Sequence, residues 1–377
     1  HSSSIVDTSG EYDVGGLVGI ITSDSSVENC SSQGKVRGSL YTGGLIGFNV
    51  RGVISRCSAT GDVDGVEAAG GLIGRTEKGI VKESFATGSV SGLRGVGGII
   101  GSYFTPYTRE GYVLNCYSTG NVSGEGSVGG LIGSIVYQCT VSNCYSTGLV
   151  DGTGEHIGGL VGRNDRSIVE GSFWDIEASG ITSSSGGYGR TTSQMKSRRN
   201  YFDWNFFSVW WIDEDRDQPR LYWEPGSPPQ KSFSGEGLGT EVSPYIVTNV
   251  TQLVEINLDL TANYILGDSL DLTVPTSLIV GEDFLPIAWD ESSGLGHQER
   301  TFTGEFDGRG HSISNLFIGS PTRDYGGLFG FIEEATIQNV NLEGFDVRGG
   351  EYVGGLCGYN DKSVVLSCSA STSLHGE

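Results

Sequence analysis

The sequence predicts an all-β fold: a parallel β-helix (β-solenoid) of three-strand coils, each about 28 residues long, in two solenoid segments. Three observations predict it. The first is a recurring pentapeptide. G-G-L-V-G begins at Gly15 and Gly158, G-G-L-I-G at Gly43, Gly70 and Gly129, and G-G-I-I-G at Gly97; G-G-L-F-G and G-G-L-C-G begin at Gly326 and Gly354. The starts are 28, 27, 27, 32 and 29 residues apart in the first block and 28 in the second. The second is the sequence between them: short β-branched runs bounded by Gly, Ser, Asn and Thr, which signal strands. The third is composition. The 62 glycines lack an every-third pattern, which excludes collagen, and the hydrophobic residues (36%) recur periodically, which excludes disorder.

The elements follow in order. Residues 1–14 are polar, apart from Ile5 and Val6. In the coil Val128 to Gly152, one strand centres on Leu131 and Ile132, a second holds Val141 and Cys144, and a third surrounds Val150. Each coil turns a Leu, a Val or Ile, and a Cys or Phe inward, and none buries that face without neighbours. Gly supplies the turns through positive φ or close approach. Asn29, Asn115 and Asn143 are expected to be stacked turn residues that satisfy backbone groups. The periodicity stops at Ser172. The aromatic segment to Glu224, with a short helix near Gln194 to Asn200, is expected to cap the last coil. The domains are therefore 1–224, coils with a C-terminal aromatic cap; 225–239, a Pro- and Gly-rich linker; and 240–377, the start of a second solenoid. That second part opens with a cap helix over Thr251 to Leu258 and strands through Ile265 and Leu272. The chain begins without Met or a signal peptide, as a processed chain or a fragment does.

Cys30, Cys57, Cys116, Cys144 and Cys368 lie 14, 15 or 19 residues after their own glycine motif, a phase that Phe85, Phe173 and Val340 share. Exchange with Phe and Val marks an inward position, so the cysteines read as a ladder of small buried hydrophobes. The alternative is disulfides between adjacent coils, Cys30 with Cys57 and Cys116 with Cys144.

Charge and motifs exclude several functions. A net charge of -22 makes nucleic acid an unsuitable partner. No apolar run of some 18 residues spans a membrane. H-E-x-x-H, G-x-S-x-G, G-x-G-x-x-G and Walker A patterns are absent. Of the five histidines, His1, His156, His297, His311 and His375, none has metal-ligand spacing to another, and His311 reads as a turn residue. Asp62 with Asp64, and Asp213, Glu214, Asp215 and Asp217 with Arg216, are the densest carboxylates. The second group reads as a solvated turn, with a calcium site as its rival; it lacks the D-x-[DN]-x-[DN]-G loop. Trp204, Trp210 and Trp211 offer either cap packing or a sugar platform. Asn29, Asn121 and Asn249 head glycosylation sequons. No catalytic, cofactor-binding or metal residue is assigned, and no enzyme activity is expected.

The repeated G-G-L-[VI]-G followed by N-C-Y-S-T-G-x-V-x-G resembles the GLUG repeat of large secreted and surface proteins of bacteria and archaea, including non-catalytic parts of some immunoglobulin A proteases. FTGEFDGRGHSISNLFI resembles the opening coil of such domains, and SFWDIEASG with WWIDEDRDQPRLYWE their ending. Here the ending precedes the opening. The resemblance implies an extracellular or cell-surface location. The permuted order suggests a structural subunit whose C-terminal coils stack on the N-terminal coils of another copy, head to tail, in a filament or sheath. The alternatives are one unit of a giant tandem protein, an adhesin that binds a glycan or host surface, and, less suited, a polysaccharide-acting enzyme.

Overall fold

The computed structural model describes residues 2–23, 25–105, 111–201, 204–206, 208–228, 233–273, 284–289, 300–319 and 324–371. It divides into two compact units, His1–Trp204 with Trp211–Ser227, and Asn205–Trp210 with Pro228–Glu377.

The first unit is a parallel β-solenoid. Its strands stack in five ladders, one of eight strands and four of six. The three runs predicted per coil are all present, but two are split by corners. In the coil at Gly129 the first run becomes Val128–Gly129 and Ile132–Val136, the second becomes Cys139–Ser142 and Tyr145–Ser146, and the third is Val150–Gly152. The register is strict. Val27, Ile54, Val81, Val113, Val141 and Val169 stand one above another. Leu45, Leu72, Ile99, Leu131 and Leu160 are fully buried beside them. Each such side chain contributes roughly 1.5–3 kcal/mol.

Close approach, rather than positive φ, explains the glycine motif. A Cβ on Gly70 would stand 1.9 Å from the Ile73 carbonyl oxygen, inside its own turn. A Cβ on Gly71 would meet the Gly98 carbonyl of the next coil at 2.1 Å. A Cβ on Gly74 would meet the Tyr41 carbonyl carbon of the preceding coil at 2.4 Å. None of the three has positive φ. Positive φ is found elsewhere. It splits the second run at Asn29 (53°), Arg56 (51°), Glu83 (45°), Asn115 (53°), Asn143 (52°) and Gly171 (49°). Arg56 and Glu83 adopt it as fully as the asparagines, so the stack imposes this conformation and Asn only tolerates it best. The expected side-chain role is not seen at Asn143, whose buried Nδ2 has no hydrogen-bond partner.

The cysteines follow that corner, and the register corrects their assignment. Ser58 pairs with Phe85, and Tyr145 with Phe173. Phe85 and Phe173 therefore belong to the next column, and the cysteine column reads Cys30, Cys57, Ser84, Cys116, Cys144, Ser172. In the second unit Val340 does stand level with Cys368, as the offsets predict, while in the first unit exchange with serine marks a hydrogen-bonding role. Each thiol or hydroxyl donates to the carbonyl two residues back: Cys57 to Ser55 (3.2 Å), Ser84 to Lys82 (2.7 Å), Cys116 to Leu114 (3.2 Å), Cys144 to Ser142 (3.1 Å) and Ser172 to Glu170 (2.8 Å). Three of them also accept a backbone N–H from the coil before: Ser84 Oγ from Cys57 N (3.1 Å), Cys144 Sγ from Cys116 N (3.3 Å) and Ser172 Oγ from Cys144 N (3.1 Å). The column satisfies donors that the corner removes from the ladder. All seven cysteines are free, so neither disulfide pair is formed, and burial pushes the Cys57 thiol up to about 12.

The end of this unit is closed in two ways. Trp174 lies in the core and donates from Nε1 to the Ile181 carbonyl (2.9 Å), while Ser183 and Ser185 continue the backbone bonding of the last coil. The short helix Ile176–Ser179 is capped by Asp175. The predicted helix at 194–200 is two 3₁₀ turns, Gln194–Lys196 and Arg198–Asn200. Trp204, Pro219, Trp223 and Glu224 run back along the side of the coils.

The second unit is a shorter solenoid with ladders of five and four strands. Its first coil is covered by the helix Val250–Glu255, continued as a 3₁₀ turn Ile256–Leu258, with Leu253 and Ile256 fully buried. Asn249 caps that helix by accepting from Gln252 N (3.0 Å). Residues 233–239, which composition places in the linker, are built into this cap. Phe233 packs on Tyr245 (4.5 Å between ring centres), Ser234 N donates to Glu255, and Ile246 N donates to the Glu236 carbonyl.

Candidate functional site

Parallel register places equivalent residues of successive coils above one another, so one aromatic per coil makes a stack of rings. The first unit has such a stack at Phe85, Tyr117, Tyr145 and Phe173. Phe85 and Tyr117 lie 5.1 Å apart and 8° from parallel; Tyr117 and Tyr145 lie 5.0 Å apart at 2°. The aromatic segment covers this column. Trp223 packs on Phe85 and donates to the Glu83 carbonyl (2.8 Å). Tyr117 donates to Glu224 Oε2 (2.8 Å), Tyr145 to the Pro219 carbonyl (2.7 Å), and Trp204 to the Gly171 carbonyl (2.7 Å). Burial raises the pKa of Glu224, and burial with the Glu224 carboxylate beside it raises that of Tyr117. On the earlier coils, where this strap does not reach, the same column carries Ser58 and Ser31.

A second pair of aromatic columns faces outward on another side of the coil. Its positions are the corner residue before the glycine motif and the residue just after it. In the first unit these are Tyr41 and Phe48, 5.1 Å apart. Arg75, on the next coil, lies over Tyr41 (5.0 Å), Phe48 (5.7 Å) and Phe104 (5.4 Å), and its Nη1 donates to Tyr41 Oη (2.8 Å). In the second unit Phe331 and Tyr359 pair in register after the motif, and Tyr325 and Tyr352 share the positive-φ corner conformation of Tyr41 before it. Tyr325 and Tyr352 stack at 4.8 Å, and Phe331 and Tyr359 at 4.7 Å. Tyr352 is 49% exposed and Tyr359 39%. Sequence reading passed over these columns because Tyr325, Phe331, Tyr352 and Tyr359 are scattered along the chain and meet only through the register.

The sequence candidates fare differently. Trp204 is 2% exposed and Trp210 fully buried, and Trp211 is half-buried with its Nε1 on Ser227 Oγ (2.9 Å), so these three offer no sugar platform. The acidic turn is internally satisfied. Glu214 accepts from Ser197 Oγ (2.6 Å) and Arg198 N, Asp213 lies 3.8 Å from Arg216, and Asp217 pairs with Arg220 (2.8 Å). Among the described residues no three His, Cys, Asp or Glu groups converge as metal ligands. Asp62 accepts from Ser89 N and Asp64 from Ser91 Oγ, both on the next coil. His156 is exposed, and His311 closes a turn on the Gly308 carbonyl. His1, His297 and His375 lie outside the described residues. An open hollow of about 520 Å³ is lined by Asp307, Arg309, Asn339 and Asn341, but Asn339 Nδ2 and Arg309 N both bond Asp307, leaving no nucleophile and base paired.

The GLUG motif matches residues 10–37 and 38–64, two successive coils. Halomucin of Haloquadratum walsbyi is 35% identical over 134 residues, which is 34% of this chain and 1% of that protein. The chain thus spans about one hundredth of its relative. A crystal structure from Bacteroides ovatus, described as a candidate immunoglobulin A1 protease, aligns with 59% of this chain and 76% of its own at 18% identity and a TM-score of 0.37.

Proposed function

We propose that this chain, a GLUG-repeat β-solenoid, is a non-catalytic structural module of a cell-surface protein, and that it extends by stacking coil on coil. The observation that carries this is the ladder itself. In the first unit successive coils pair through backbone bonds in five strips, and a coil buries its apolar row by having a neighbour. In the second unit Ile337 is fully buried between coils, whereas Val364, Val365 and Leu366 on the coil above are 48%, 41% and 50% exposed. A further coil completes that row. The GLUG match and the similarity to halomucin support a surface setting, and the acidic composition suits a solvated exterior.

In its finer form, the added coil comes from another copy, head to tail, giving a filament or sheath. The competing source is continuation of the same polypeptide. Native material run under reducing, denaturing conditions separates the two. A species near 39.9 kDa that re-forms fibres after dilution supports assembly from copies, and a very large chain overturns it. Labelling of intact cells with an antibody against the solenoid tests the surface setting; label only after permeabilisation refutes it.

A further inference from the structure

We propose that Asn121 carries a sugar chain, joined to its side-chain nitrogen as an N-glycan. Three Asn-X-Ser/Thr sequences stand in the chain, and the fold separates them. Asn121 ends the turn before the short strand Val122–Gly124, where residues two apart face the same side. Asn121 and Ser123 are both exposed, while Val122 between them is 1% exposed and points into the core. A transferase that reads Asn and Ser together meets both on one open face. The other two sequences lack this arrangement. Asn29 occupies a left-handed corner (φ 53°), and its Ser31 is half-buried. Asn249 caps the helix that Thr251 enters, and Thr251 is half-buried.

The Asn121 amide is held so that its nitrogen stays open. Its Oδ1 accepts from Leu149 N of the next coil (3.0 Å), and its Nδ2 has no partner among the described residues. The oxygen still accepts when a sugar sits on the nitrogen, so the modification costs the fold no bond. Asp7 and Asp62 do the same on other coils, accepting from Lys35 N (2.8 Å) and Ser89 N (3.1 Å). Those carboxylates cannot be N-glycosylated; Asn121 is the amide of the column. Ser89 and Leu149 stand level with it on the flanking coils, both of which lie well inside the chain. Leu149 is 49% exposed in an otherwise polar column of Asp7, Lys35, Asp62, Ser89 and Asn121. Adjacent strands lie about 4.8 Å apart, so the first sugar on Asn121 rests against Leu149 and shields it. The donor is a sugar carried on a lipid phosphate, and the catalyst is a separate transferase. Asn121 Nδ2 bonds the anomeric carbon, the bond from that carbon to the phosphate oxygen breaks, the phosphate leaves with the electron pair, and Nδ2 gives one proton to a base of the transferase. Such sugars are placed on exported chains, so the modification rests on the surface setting proposed above.

The test is mass mapping of peptides from the chain isolated from its own cells. The expected result is a peptide spanning Asn121 that carries the added mass of hexose or N-acetylhexosamine units, assigned to Asn121 by fragmentation that leaves sugars attached. Asn121→Asp should lose the added mass and keep the fold, since Asp62 already makes the same backbone bond. Ser123→Ala should lose it with Asn121 untouched, and Ser123→Thr should keep it. A bare Asn121 in material that labels on intact cells overturns the glycan and leaves the surface setting standing; bare material found only inside cells overturns both. An added mass that survives Asn121→Asp and Ser123→Ala also overturns it, by placing the modification elsewhere.

Discussion

The strapped aromatic column of the first unit and the bare one of the second are made by the same device and end in opposite states. In both, one ring per coil is stacked by parallel register at about 5 Å. Over Phe85, Tyr117, Tyr145 and Phe173 the chain lays its own Trp204, Pro219, Trp223 and Glu224, and the phenols find internal acceptors. Over Tyr325, Phe331, Tyr352 and Tyr359 the described residues place no such cover, and two of the rings stay exposed. A solenoid face is therefore not intrinsically core or surface. What decides is whether another segment bonds the ring edges. The column itself records the answer, since it reverts to Ser58 and Ser31 where the strap ends.

The contrast can be broken at the buried side first. Tyr145→Ala removes a ring that is 1% exposed, stacked on Tyr117 and bonded to Pro219. It should cost about 3–5 kcal/mol, read by urea unfolding, and free the strap to proteolysis. Gly71→Ala should cost about 3 kcal/mol or more, because its Cβ meets backbone at 2.1 Å. Gly326→Ala in the second unit, with its nearest atom at 3.4 Å, should stay within about 1 kcal/mol. Equal costs at the two positions would show that the motif is not held by close approach.

The thiol column gives a subtler contrast. Cys144→Ser should be nearly neutral, since Ser84 and Ser172 already serve in that column. Cys144→Val should cost about 1–3 kcal/mol by leaving the Cys116 N–H buried and unbonded. Equal effects in thermal melts would restore the view of these residues as plain hydrophobes.

The strap should also respond to pH through Glu224. Burial raises its folded pKa above the ordinary 4.5, so the folded state holds the proton more tightly than the unfolded. The associated stability is fully present below about 4.5 and is lost as pH rises through the folded value. Glu224→Gln should flatten that stretch of the stability profile, and an unchanged profile would assign the dependence elsewhere. The smallest effect is expected on the bare side. Tyr359→Ala should change stability by no more than about 0.5 kcal/mol, because its ring is 39% exposed. A large loss of stability there would make the surface structural.

Much of the coil was legible in the sequence because stacking repeats the same contacts at a fixed interval. The interval of Gly15, Gly43, Gly70 and Gly97 gave the coil length, and the β-branched runs gave its faces. The assignments that failed were off by one residue or by one face. The 14- and 15-residue offsets merged Phe85 with the cysteine column because the stretch between the glycine motif and the left-handed corner differs in length from coil to coil. The tryptophans of the ending read as either cap or platform, because composition does not reveal which side of the coil a returning segment meets.

By itself the sequence determined the solenoid, its period, and the inward Leu and Val columns, since a periodic apolar pattern can be buried only by stacking its repeats. The tertiary structure alone decided that a returning segment seals the aromatic column of the first unit, and that the cysteines relay hydrogen bonds. Those outcomes depend on contacts between residues about 28 to 140 positions apart, which only the register and the path of the strap bring together.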